Sequence, residues 1–233
     1  MKRQIICGAL GVWFAAAGAV FAQSEQGVVV ELYTSQGCSS CPPADALLGE
    51  LARMPNVFGL ALHVDYWDYI GWKDTFGNPQ FSERQRNYAR SAGDNMVYTP
   101  QMIIDGQARM VGNAAPPVKA AISGALERPR TIDLKVERNG NKVTISGVTK
   151  QALEAGTTVQ LVHYIESQDV AIERGENAGL TVGYRNVVTS WQTVGNWVGT
   201  APLKLTTDAG TGPIVVLVQR KGPRQVLAAA RLK

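Results

Sequence analysis

Val28-Val29-Val30-Glu31-Leu32-Tyr33-Thr34-Ser35-Gln36-Gly37-Cys38-Ser39-Ser40-Cys41-Pro42-Pro43 is the stretch on which the reading of this chain turns. An apolar, β-branched run ends at Ser35-Gln36-Gly37, and a Cys-Ser-Ser-Cys stands where prolines mark a helical first turn. The pattern is a strand, a turn and a dithiol at a helix N-terminus. A thiolate is the sulfur nucleophile, and the unpaired N–H groups and positive dipole end of a helix favour that anion. Two intervening residues let one helical turn bring the sulfurs together. Cys38 is expected to be the exposed attacking sulfur and Cys41 the resolving one. A permanent disulfide and a pair of zinc ligands are the alternatives, although no second cysteine pair completes a zinc site.

The segment Val28 to Leu51, taken with Tyr98-Thr99-Pro100-Gln101-Met102-Ile103-Ile104-Asp105-Gly106, resembles a secreted bacterial family of unknown function with a thioredoxin-like fold. The resemblance extends over nearly all of the chain beyond its N-terminal leader. It implies the fold and a redox-type motif, with no substrate attached. It also implies that Pro100 opens a strand beside the dithiol through a cis Thr99-Pro100 bond. Independently, a proline cannot donate to a central ladder, so one at the start of an apolar strand needs a special role. Turned outward there, the Thr99 backbone could pair with an extended substrate as an added strand. The aromatic run Tyr66-Trp67-Asp68-Tyr69-Ile70-Gly71-Trp72 belongs to the shared pattern too. Trp67 and Trp72 are expected either to wall a substrate groove or to cap the core.

Composition narrows the field. The 233 residues are 45% hydrophobic and 18% charged, with a formal net charge of +4, which suits a packed globular protein. Basic residues are scattered, so nucleic-acid binding has no footprint. Met1-Lys2-Arg3, an apolar run from Ile5 to Val20 and Val20-Phe21-Ala22-Gln23 have the three parts of a secretory signal peptide, with cleavage expected after Ala22. An uncleaved membrane anchor is the alternative. Cleavage would direct the protein to the periplasm or the medium, lower its net charge from +4 to +2 and remove Cys7. The two cysteines left are those of the motif, and so short a loop is a poor covalent staple.

Beyond the motif, Ala44 to Met54 reads as an amphipathic helix with Ala46, Leu47 and Leu51 inward, and Asp45 is expected to favour its dipole. Val57 to Asp65 is a strand with Ala61, His63 and Asp65 on one face. Gln80 to Ala92 is a polar helix, Asp105-Gly106 a hairpin turn and Ala114 to Arg128 a closing helix. Past Arg128-Pro129-Arg130 short alternating strands take over: a hairpin around Asn139-Gly140-Asn141, then Thr157 to Ile165, Thr181 to Trp191, Leu203 to Thr206, Ile214 to Arg220 and Gln225 to Leu232. Polar segments at Glu173 to Gly179 and Arg185 to Val188 serve hairpin chemistry or line an interface with the first half. The expected fold class is an α/β thioredoxin-like domain (residues 23–129) followed by an all-β, sandwich-like domain (130–233).

The leading function is a thiol-disulfide oxidoreductase with Cys38, Cys41 and Pro100 at its centre and Thr99, Trp67 and Trp72 against the substrate. Its partners would be protein or small-molecule thiols and disulfides, with no cofactor, no nucleic acid and no stable membrane insertion. Ser39-Ser40 brings neither a cation nor a ring to the thiols, so a less strongly oxidising centre is expected than one with a basic residue between the cysteines, and the direction of the chemistry is left open. Two alternatives stand beside it: a Cu(I)-handling module that recruits His63, His163, Met102 or Met110, and a non-catalytic binding protein. Phosphate loops, HExxH zinc sites and Gly-x-Ser-x-Gly elbows are absent from the sequence.

Overall fold

A computed structural model describes residues 25–153 and 156–233. The signal-peptide segment lies outside the described residues. In chain order the elements are β1 (Glu25–Gln26), β2 (Val28–Thr34), α1 (Pro42–Leu51), β3 (Val57–His63), α2 (Pro79–Ser91), β4 (Gln101–Ile104), β5 (Ala108–Val111) and α3 (Ala115–Leu126). They are followed by β6 (Ile132–Asn139), β7 (Lys142–Thr149), β8 (Thr157–Ala171), β9 (Thr181–Trp197), β10 (Leu203–Asp208), β11 (Ile214–Arg220) and β12 (Val226–Leu232). A 3₁₀ turn at Asp68–Ile70 interrupts the aromatic run.

Every residue of β2 and β3 is buried, which is why both read as near-continuous apolar runs. Val28, Val30 and Leu32 point with Val57 and Ala61 to the face covered by α1 and α3. Val29, Tyr33, Phe58, Leu60 and Leu62 point to the other, where Phe81 and Tyr88 of α2 pack. Local chemistry starts the helices as the sequence suggests. Cys41 is the N-cap residue of α1, with prolines in the first turn, and the Asn78 side chain accepts the Gln80 N–H (2.9 Å) at the head of α2. Asp105 and Gly106 turn the β4–β5 hairpin with φ of 46° and 67°. A side chain at position 106 would strike the Arg224 carbonyl.

The expected fold class is overturned. The protein is mostly β, with three α-helices among the described residues, and its principal sheet does not end where the first half ends. One nine-stranded mixed sheet runs β1-β12-β11-β8-β9-β3-β2-β4-β5, drawing strands from both sides of residue 129. The join is parallel, at Ala61 of β3 against Val187 of β9. The physical reason is burial: the face of β3 bearing Phe58, Leu60 and Leu62 shares a core with Val162, Tyr164, Val188, Val215 and Leu217 from the second half. In place of a separate sandwich, the three-stranded sheet β10-β7-β6 packs on part of that same large sheet through Leu134, Val136, Ile145, Val159, Leu161 and Val216. Strands β8 and β9, expected to end at Ile165 and Trp191, extend to Ala171 and Trp197 and pair along most of their length.

Candidate functional site

At the C-terminal end of β2 the chain turns through Ser35 and enters α1 with Cys38 and Cys41 joined as a disulfide, Cα to Cα 5.4 Å. The turn is held by Cys38 N–H to Ser35 O (3.1 Å) and Cys41 N–H to Cys38 O (3.1 Å). Ser39 and Ser40 are exposed, and the Ser40 hydroxyl lies 3.4 Å from Cys38 Sγ. Cys38 is not the open sulfur expected: it is only 4% exposed, and Cys41 is fully buried. Because Pro42 and Pro43 carry no N–H, the first turn of α1 offers fewer donors to a thiolate than an ordinary helix start. Ser40 supplies a hydroxyl in that region.

Behind the disulfide lies a buried polar cluster. Thr34 and His63 are register partners on β2 and β3, on the face that α1 covers, and Asp45 occupies the first turn of α1. His63 Nδ1 bonds Asp74 Oδ2 at 2.8 Å, both side chains being inaccessible to solvent. Asp74 also accepts the Gln36 N–H (2.8 Å) and the Phe76 N–H (2.8 Å), so Nδ1 of His63 is the donor in their pair. The His63 ring stands edge-on to Phe76 and Tyr184, with centroids 5.1 and 4.8 Å away. Burial pushes the Asp45 carboxyl up to about 7, against the pull of His63 and of the nearby Thr34 hydroxyl, which makes no hydrogen bond of normal geometry with it; Asp74 adds to the rise. Burial also raises the Tyr184 phenol well above its ordinary value, with Asp45 and Asp74 adding. Asp45 stands in the first turn of α1, where it was expected to meet the helix dipole, but it does so as a buried side chain.

The aromatic run closes around this cluster. Trp67 donates to Thr99 Oγ1 (2.7 Å), and its Cβ lies 3.4 Å from where a side chain on Gly37 would begin. Trp72 donates to Gln36 Oε1 (2.8 Å), and Gln36 Nε2 donates to Thr75 Oγ1 (2.8 Å). Trp67 and Trp72 are both half-buried, so each braces the loop and keeps part of its ring outside. The Thr99-Pro100 bond is cis, as the resemblance implies. Pro100 is buried; its Cβ and that of Ala44 on α1 both lie within 3.3 Å of where a Gly112 side chain would begin. The Thr99 backbone makes no hydrogen bond among the described residues.

A contribution from the far half of the chain was not foreseen residue by residue. The connection between β8 and β9 is a compact turn in which all of residues 173–180 are exposed except Asn177. Asn177 donates both amide hydrogens to the dithiol loop, to Gln36 O (2.9 Å) and Cys38 O (3.0 Å). Gly175 (φ +79°) sits where a Cβ would be 3.1 Å from the Cβ of Trp72. The Glu173 to Gly179 segment thus supplies both turn and interface. The candidate copper ligands are dispersed. Met102 and Met110 are cross-strand partners packed in the α1–α3 core, and His63 is bound to Asp74. His163 bonds Ser190 and the Ala209 carbonyl, and no cluster of three or more His, Cys, Asp or Glu side chains arranged for a metal occurs among the described residues. No helix among them is long and apolar enough to cross a membrane.

Fold and site together define a mixed-sheet protein with a CxxC disulfide at the start of a helix. The chain belongs to the family described as Protein of unknown function (DUF1223), which matches residues 29–219. It is similar to the crystal structure of protein AGR_C_4864 from Agrobacterium tumefaciens at 31% identity and a TM-score of 0.76, covering 88% of this chain and 93% of that one. HBP35 of Porphyromonas gingivalis, at 11% identity, shares the fold with a TM-score of 0.63 over 89% of this chain and 75% of its own. No curated protein matches.

Proposed function

We propose that this protein is a secreted or periplasmic thiol-disulfide oxidoreductase acting through Cys38 and Cys41. The observation that carries the reading is the Cys38–Cys41 disulfide at the head of α1, formed by the only cysteines of the chain beyond the expected leader. In the dithiol form the Cys38 thiolate attacks a substrate disulfide and expels one thiolate, giving a mixed disulfide. The Cys41 thiolate then attacks Cys38 Sγ, expels the second substrate thiolate and restores the protein disulfide. Run backwards, the same steps oxidise a substrate dithiol.

Support for the substrate side comes from Thr99, whose open backbone stands ready to pair with an extended chain, and from the half-buried Trp67 and exposed Tyr69, stacked with ring centroids 6.3 Å apart. A partly exposed aromatic pair favours an apolar polypeptide over a small polar thiol. Equilibration with glutathione buffers, followed by alkylation and mass measurement, tests the reading. A reversible two-electron transition confined to Cys38 and Cys41 is expected, with Cys41→Ser trapping a mixed disulfide on Cys38. A disulfide that stays closed under strongly reducing glutathione in the native protein would make the pair a structural staple.

A further inference from the structure

Arginines that lie far apart in the sequence are gathered by the fold at one place. A cavity of about 370 Å³ opens between the C-terminal end of α2, the β4–β5 turn and the β11–β12 turn, and Arg109, Arg220 and Arg224 all line it. Arg109 comes from β5, Arg220 from the end of β11 and Arg224 from the turn before β12. No aspartate or glutamate among the described residues shares the wall with them. On the flanking segments, Asp94 bonds Arg109 at 2.8 Å from outside the wall, and buried Asp105 accepts the Val29 N–H at 2.8 Å. Two further arginines, Arg128 and Arg130, stand close enough to Asp105 for their charges to favour its ionised form.

The walls are tied to one another. The Val226 N–H bonds the Asp105 carbonyl (2.8 Å), the Gln219 amide donates to the Arg224 carbonyl (2.7 Å) and the Ser91 hydroxyl donates to the Gly222 carbonyl (3.0 Å). The neutral groups of the wall have the same polarity as the charged ones. Gln107 Oε1 accepts from Arg128, and Gln225 Oε1 faces Arg220 Nε at 3.5 Å. Arginine has donors only, so each of these amides must turn its oxygen to the guanidinium, which leaves its NH2 group as the end open to a ligand. The cavity is thus a set of donors on a fixed frame.

We propose that this cavity binds the phosphoryl group of a small, soluble phosphomonoester. Guanidinium forks approaching from three elements suit a tetrahedral dianion, whose oxygens point in several directions, better than a flat, singly charged carboxylate. The volume lies within the ordinary range of small-molecule sites, about 300–1,000 Å³, and leaves room for a body beside the phosphoryl group. Ser91, Gln107 and Gln225 make a polar body the better fit. The site is separate from the dithiol: the β4–β5 turn is at the opposite end of β4 from Pro100. Its occupancy therefore does not depend on the redox reading.

Calorimetric titration of the purified protein with glycerol 3-phosphate, in chloride buffer of constant ionic strength, tests the proposal. One saturable site is expected. Arg109→Gln and Arg224→Gln, each removing charge-assisted hydrogen bonds to the ligand, should weaken binding about tenfold or more. Lys204→Gln, which removes the same charge from the exposed face of β10 in the smaller sheet, should bind as the native protein does. Acetate should bind far more weakly, and glycerol not at all. Lack of a saturable site in a protein with a native melting transition overturns the proposal. Equal weakening by Lys204→Gln also overturns it, because the effect would then be one of net charge alone. Vesicles of phosphatidylglycerol supply the last arm: if they retain the protein through Arg109 and Arg224 while glycerol 3-phosphate does not bind, the phosphoryl group belongs to a lipid surface and the soluble ligand is ruled out.

Discussion

Asp45 is a buried acid whose ionisation works against the fold. Its carboxyl has an ordinary value of 3.8 and lies at about 7 when folded, raised by burial. The folded state therefore holds this proton more tightly than the unfolded chain. The resulting stability is complete below about pH 4 and is lost as pH rises through 7. Asp45→Asn, a neutral isostere, should match the native protein near pH 4 and exceed it near pH 8. At about 1.4 kcal/mol per unit of pKa difference, a gain of roughly 2–4 kcal/mol is expected. Guanidinium unfolding of the oxidised proteins at the two pH values measures it, and equal stability of the two near pH 8 would contradict the burial.

Two elements stand out for what they hold together. The β8–β9 turn delivers Asn177 to the carbonyls of Gln36 and Cys38, at 139 residues' remove from the latter. Asn177→Ala removes two hydrogen bonds and leaves two carbonyls unpaired on that side. A loss of roughly 1–3 kcal/mol is expected, together with faster amide exchange in the turn from Ser35 to Cys41. Unaltered exchange there would show that the turn is rigid without the hairpin. Helix α2 is anchored by Arg84, which bonds both oxygens of Glu31 at 2.8 Å and stacks on Trp191 at 3.7 Å. Gln219 and Tyr88 complete the network. Arg84→Met strands a fully buried carboxylate on two phenols, and a destabilisation of about 3–5 kcal/mol should appear in denaturant melts.

For the whole molecule the continuous sheet has a direct consequence for cooperativity. The core that contains Phe58, Leu60, Phe81 and Tyr88 is completed by Val162, Tyr164, Val215, Leu217 and Ala229. A fragment ending at residue 129 keeps β2–β5 and all three helices but exposes that face of the sheet to water. It should fail to give a cooperative melt, whereas the full chain unfolds in one transition when followed by tryptophan fluorescence and by circular dichroism together. A soluble, cooperatively folded fragment would mean that the two halves share a sheet without depending on one another.

Local chemistry was legible in the residues themselves. Apolar periodicity, prolines in first turns and Asp105-Gly106 located most elements to within a few residues, because helix starts and tight turns are governed by neighbours in the chain. The Cys38–Cys41 pair was readable for the same reason, through its spacing, whereas the cis Thr99-Pro100 bond was implied by the family resemblance. Glu31 is a charge inside an all-buried strand, and nothing in the sequence pointed to Arg84 as its partner. Asp45 looked like an ordinary first-turn acid, since its burial comes from Thr34, His63 and Tyr184, which meet it only through packing. Strand edges carry no mark of which partner they will take, so the parallel join of Ala61 to Val187 was decided by tertiary structure alone. That pairing merges the two expected domains into one sheet, and the β8–β9 hairpin running from it brings Asn177 to the dithiol: the motif was written in sixteen consecutive residues, but its surroundings depend on contacts between distant parts of the chain.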